Sequence, residues 1–176
     1  LGGEGGFDRV EGEGGDDSIY LIQQDFVNGL TELGLNYVDG GSGQDELDVV
    51  FGNMTLDLTG ADGGKVRNFE SIDLSLGDNP GATLIVDETA IAGLSGEANT
   101  AIAGALGTSG LDSILVKGDA NDLLEFLDGG SQTGASWQLT TTSSINSQNY
   151  DIYEYAFGSN TFATLAVDDD VQVIGV

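Results

Sequence analysis

The chain has 176 residues, 39% of them hydrophobic, enough for one domain with a core of its own. Thirty acids face four bases, Arg9, Lys65, Arg67 and Lys117, for a net charge of −26; such a surface repels phosphate backbones and anionic lipid, which excludes nucleic acid and direct membrane binding. With no cysteine and no histidine there is no disulfide, no thiol or histidine catalysis and no histidine zinc site, and no apolar run approaches the roughly 20 residues of a membrane span.

The chain opens inside a nine-residue pattern written twice in register, Gly3 to Glu11 and Gly12 to Tyr20, with a third copy from Gly40 to Asp48. Opening in mid-repeat is what a piece of a longer chain would show. Glycines permit positive φ and turn carbonyl oxygens inward, and the aspartate at the sixth position adds a carboxylate to the same hole. The eighth residue, Val10, Ile19 or Leu47, then buries itself on a short strand. A single Gly-Asp stretch is ordinarily a solvated loop, but three copies point to calcium, several ions of it, held by Asp8, Asp17 and Asp45 with the turns of Gly3, Gly5, Gly12, Gly14 and Gly40. The charge agrees, since self-repulsion on this scale opposes compaction unless cations neutralise it.

Residues 21–39 interrupt the pattern, and their apolar spacing fits neither a helix nor a strand cleanly. Asp17 and Asp45 are not separated by a multiple of nine, so the third copy is not expected to be the next turn of a continuous roll. From Leu47 on, Met54, Leu56 and Leu58, then Ile72, Leu74 and Leu76, alternate with polar residues as half-buried antiparallel strands do. Asp78 to Gly81 is a turn by composition, and Ala82 to Val86 another strand. Asp87 caps a helical stretch through Ala90, Ile91 and Leu94; Ala98, Ile102 and Leu106 continue the helical spacing until Gly107 stops it. Strands resume at Ser113 to Lys117 and Leu123 to Leu127, and the last third reads as long strands, Trp137–Thr140, Tyr150–Phe157, Thr161–Val167 and Val171–Ile174. The fold expected is mainly β: an antiparallel, calcium-stabilised β-sandwich over 49–176 with a short helical interlude, integrated with a truncated calcium roll over 1–48.

Other sites are weaker. Gly118 to Asp122 offers Asp119 and Asp122 as a calcium turn or a plain hairpin loop. Asp128 to Ser131 begins like the repeat but lacks its sixth-position aspartate. Asp168, Asp169 and Asp170 repel one another unless solvated or metal-bound, making Asp168 and Asp170 further candidates. Trp137, Tyr150, Tyr153 and Tyr155 could wall a ligand pocket or pack in the core. A carboxylate pair for glycoside hydrolysis always exists among so many acids and carries no specificity, so an enzyme is not expected.

The nonapeptides, with Asn68 to Leu74, Leu115 to Asp122, and Tyr153 and Ala163 to Asp168, resemble the repeats-in-toxin adhesins of Gram-negative bacteria. The chain is most similar to their calcium-dependent peptide-binding domain, found in ice-binding marine and vibrio haemagglutinin-type adhesins. The resemblance implies type I secretion, an extracellular cell-surface location, and a monomeric domain in a long chain. It also implies capture of peptide or protein C-termini on neighbouring cells through the free carboxylate. The alternatives are a structural spacer, or an accessory module of a secreted polysaccharide-modifying enzyme.

Overall fold

A computed structural model of the chain describes residues 9–27, 32–60, 62–76, 81–110, 112–128 and 133–176. Gly3, Gly5 and Asp8, the turn at 78–80 and the stretch 129–131 lie outside them. The strands are β1 (Arg9–Glu11), β2 (Ser18–Leu21), β3 (Phe26–Val27), β4 (Glu32–Leu33), β5 (Tyr37–Asp39), β6 (Glu46–Val49), β7 (Thr55–Asp57), β8 (Val66–Arg67), β9 (Ser71–Asp73), β10 (Thr83–Val86), β11 (Ser113–Lys117), β12 (Leu123–Phe126), β13 (Ser136–Ile145), β14 (Gln148–Phe157), β15 (Asn160–Asp168) and β16 (Gln172–Ile174). The helices α1 (Glu88–Leu94) and α2 (Thr100–Leu106) stand between β10 and β11. Among the described residues no helix is long and apolar enough to cross a membrane.

The mainly β class expected from the sequence is the one observed. Three sheets share a core: β1-β5-β8, β16-β12-β10-β7 and β13-β14-β15-β11-β9-β6-β2. The chain visits them in rotation, so that β5, β6 and β7 are followed by β8, β9 and β10 in the same three sheets. Each visit pairs in parallel with the one before. The result is a coil whose registers stack like on like. Val10, Val38 and Val66 form one inward column; Ile19, Leu47, Ile72, Val116 and Val167 a second; Leu56, Leu84, Leu124 and Val173 a third. All but Val173 are buried, and side chains of this kind contribute about 1.5–3 kcal/mol each when fully buried. The same core includes Val10 and Ile19 from the nonapeptide region and Leu165 from the far end.

Two expectations are corrected. The sheets are parallel except for β13-β14-β15 and the small β3-β4 pair. Alternation marks a strand with one face buried, and a coil strand has one face inward and one outward whichever way its neighbour runs. The third nonapeptide, moreover, is the next turn of the coil: Ser18 pairs with Glu46 and Ile19 with Leu47. The intervening residues leave the coil as a 3-10 turn (Gln23–Asp25) and the β3-β4 pair, then rejoin at β5. The excursion is tied back by Asp62, whose Oδ1 accepts the Leu33 amide at 2.6 Å, while Lys65 Nζ donates to the Leu33 carbonyl at 2.6 Å.

The helical interlude forms where expected but as two helices, the second capped by Asn99 with Ala98 outside it. Asp87 accepts the Ala90 amide and Asn99 the Ile102 amide, and Gly107 ends α2 with φ +68°. They occupy the corner where a further strand of the β1-β5-β8 sheet would fall, and α1 lies against β8. β13 and β14 turn through Asn146 and Ser147, both at positive φ, as a two-residue hairpin requires. β13 is the outer strand of the large sheet, and its mostly exposed run Gln138–Ser144 gives that edge a polar, hydroxylated surface.

Gly40→Ala tests the stacking. A Cβ there would lie 1.9 Å from the Asn68 carbonyl oxygen and 2.7 Å from Asp45 Cβ, and is expected to cost about 3 kcal/mol in urea denaturation. Gly104→Ala, on α2 with open space around it, is expected to gain up to about 1 kcal/mol.

Candidate metal centres

Because the second and third nonapeptide turns each end on an acid that leads into a strand, the coil stacks these turns as it stacks β2 and β6. Gly14 and Ser42 form a parallel bridge; the Gly15 amide donates to the Ser42 carbonyl at 2.8 Å, and the Ser42 amide to the Glu13 carbonyl at 3.1 Å. Ser18, Glu46 and Ser71 are register partners, so Asp17, Asp45 and Glu70, each one residue earlier, stand in a file. The Asp17 amide donates to Asp45 Oδ1 at 2.8 Å, and the Asp45 amide to Glu70 Oε2 at 2.9 Å. Asp17 Oδ2 and Asp45 Oδ2 are buried and accept no hydrogen bond from the described residues.

Glycine makes this convergence possible. A Cβ on Gly12 would meet the Gly40 carbonyl oxygen at 2.1 Å and Asp17 Oδ2 at 3.0 Å, and one on Gly40 would come within 2.9 Å of Asp45 Oδ2. Burial pushes the carboxyls of Asp45 and Glu70 above their ordinary range, because a charge taken from water without a counter-charge is costly. Buried carboxylate oxygens lacking donors, beside close-packed turn carbonyls, match the oxygen-only, irregular shell that calcium takes. The coil thus brings Asp17, Asp45, Gly12, Gly14 and Gly40 together although the nine-residue spacing is broken between the second and third copies. Glu70 was missed: its turn lacks the glycines, and the signal for it is its place directly before a strand, as with Asp17 and Asp45.

The weaker candidates fare differently. Asp122 spends both oxygens on backbone amides, of Ala82 at 2.9 Å and Asp119 at 2.8 Å, and Asp119 accepts the Asn121 amide at 2.7 Å. The loop is not a hairpin, since β11 and β12 belong to different sheets; it is a corner closed by hydrogen bonds to its own acids. Asp168, Asp169 and Asp170 bring ligand oxygens within 4.8 Å of one another and could hold an ion, as could Glu46, Asp48 and Asp73. Asp168 also accepts Gln148 Nε2 at 3.1 Å and the Asp170 amide at 3.2 Å. Trp137, Tyr150, Tyr153 and Tyr155 are all buried. Trp137 stacks on Phe126 at 4.4 Å and lies 5.4 Å from Tyr155, while Tyr150 packs beneath α2 with Ile102 and Ile152, so the four pack among other core side chains. An open cleft of about 300 Å³ lies instead beside β15, lined by Thr108, Asp112, Glu154, Thr161, Phe162 and Thr164, among others.

All four bases are already engaged. Arg9 and Arg67 lie on opposite neighbours of Tyr37 in the three-stranded sheet, each 4.3 Å from the centre of its ring, and pair with Glu11 and Asp39. Lys65 pairs with Asp62, and Lys117 with Glu46. The excess acid must therefore be balanced from solution. Comparison with protein-family models, curated proteins and solved structures finds no match for this chain.

Burial, with Glu46 and Asp73 close by, pushes the Asp48 carboxyl up to about 6. A carboxyl raised above its unfolded value of about 3.9 stabilises the fold fully below that value and loses the contribution as pH rises through about 6. In calcium-free buffer the urea midpoint is therefore expected to be higher at pH 5 than at pH 7.5, Asp48 supplying at most about 1.4 kcal/mol of the difference. Asp48→Asn should flatten that part of the slope.

Proposed function

We propose that the chain is a calcium-locked, ligand-binding module of a large type I-secreted adhesin working outside the cell. The observation that carries the reading is the file of turns whose buried Asp17 Oδ2 and Asp45 Oδ2 find no donor among the described residues. Extracellular calcium modules bind at about 10⁻⁴ to 10⁻³ M, and a site at about 100 times its Kd adds roughly 2.7 kcal/mol. Two such sites add a stabilisation comparable to the lower end of the ~5–15 kcal/mol of a whole domain. At micromolar calcium the contribution nearly vanishes, so the chain locks only after export.

The ligand we assign is a peptide C-terminus. A carboxylate approaching this surface, or the cleft between Asp112 and Glu154, meets like charge, and a bound cation with an open coordination position converts repulsion into attraction. A second reading, a rigid non-enzymatic spacer, is favoured by the burial of all four candidate aromatics.

Two measurements test this. The melting temperature is expected to be about 10 °C or more higher in 10 mM calcium than in chelator; equal values would sink the calcium lock. Peptides with free C-termini should bind in calcium, and amidated ones should not. Binding that survives chelation or amidation removes the carboxylate mechanism, and no binding at all leaves the spacer.

A further inference from the structure

The outward face of the large sheet carries a second acidic constellation, which begins at Glu46, one residue beyond the glycine turn of Asp45. Register places Tyr20, Asp48, Asp73 and Lys117 side by side on β2, β6, β9 and β11, with Glu46 two residues before Asp48 on the same face. Alternate residues on these strands, Leu47 and Ile72 among them, point into the core, so the acids face outward as one group. Their ligand oxygens lie within 4.8 Å of one another. Donors to a single calcium sit about 2.3–2.6 Å from it, and a pair on opposite sides would be separated by about that span.

The contacts already made leave the group incomplete. Asp73 Oδ1 accepts the Ser75 amide at 2.8 Å and its hydroxyl at 2.6 Å. Glu46 Oε2 accepts the Ser71 hydroxyl at 3.0 Å and Lys117 Nζ. Asp48 is only 3% exposed, and its Oδ1 has no partner. An ionised carboxylate placed so is costly unless something pairs it. Three negative charges against the one of Lys117 leave a deficit of two, the charge of one divalent cation. With oxygen donors alone, the set suits a hard cation rather than zinc or copper.

We propose that Glu46, Asp48 and Asp73 form a calcium site on the outer face of the seven-stranded sheet, separate from the glycine turns, with Lys117 as its built-in counter-charge. The ion bridges β6 and β9 across their outward face, where the coil would otherwise set like charges in adjacent register positions. Lys117 lowers the affinity by competing for Glu46, so this site fills at a calcium concentration of its own.

The test is calorimetric titration of the full, metal-free chain with calcium chloride, paired with melting curves. Asp48→Asn is expected to bind one ion fewer than the parent, to melt higher than the parent without calcium, and to gain less from calcium. Asp45→Asn, altered in the turns, is expected to keep this ion. An Asp48→Asn isotherm matching the parent in stoichiometry and affinity overturns the site. Should that variant not fold, Lys117→Met decides: loss of the ammonium should tighten one class of sites at least about fivefold, and unchanged affinities overturn the proposal. If the parent binds a single ion, lost in Asp48→Asn and kept in Asp45→Asn, the glycine-turn reading falls and the outer site stands.

Discussion

Parallel, in-register stacking is the constraint on which this structure depends. It sets each residue about 4.7–4.9 Å from its counterpart one coil earlier, and whatever one coil places at a position the next tends to repeat. For Val10, Val38 and Val66, or for Ile19, Leu47 and Ile72, that repetition builds a core. For acids it builds repulsion: Glu11 lies beside Asp39, and Asp48 beside Asp73. Two carboxylates at that separation repel by about 3 kcal/mol at an effective dielectric constant near 20.

The protein answers this charge in different ways at different places. On the three-stranded sheet it interleaves cations, with Arg9 and Arg67 flanking the Tyr37 ring and reaching Glu11 and Asp39. In the file of turns it uses backbone dipoles, the amide of Asp17 serving Asp45 and that of Asp45 serving Glu70. At the corner after β11 the acids close the chain on itself. Of the buried carboxylate oxygens without a hydrogen bond among the described residues, Asp17 Oδ2, Asp45 Oδ2 and Asp48 Oδ1 lie in the two places where we assign calcium, while Asp62 Oδ2 lies beside the excursion that Asp62 ties back.

Local pattern carried local structure. Asp87, Asn99 and Gly107 bound two short helices by cap chemistry that needs only neighbours in sequence, and alternation located β7, β9 and β10. Strand direction was not legible, because Ile72 alternates with Ser71 and Asp73 in the same way whether its partner is parallel or not. Nor was the stacking of the second and third nonapeptides: β2 meets β6 only after the chain has left and re-entered the coil, and what fixes the register is the inward column rather than the count of intervening residues. Asp48 and Asp73 were invisible as a pair for the same reason. They read as the polar half of two alternating strands, and only the coil makes them neighbours.

The helical interlude has one further effect. A sheet of three short parallel strands offers hydrogen-bonding edges to any extended segment that comes by, and such edges template aggregation. On the β8 side, α1 lies where the next strand would pair, and the Leu94 carbonyl at its end takes the Phe69 amide just beyond β8. This side is closed to strand addition by a helix that cannot itself propagate the ladder, so the coil goes on through its other two sheets while the third stops at β8.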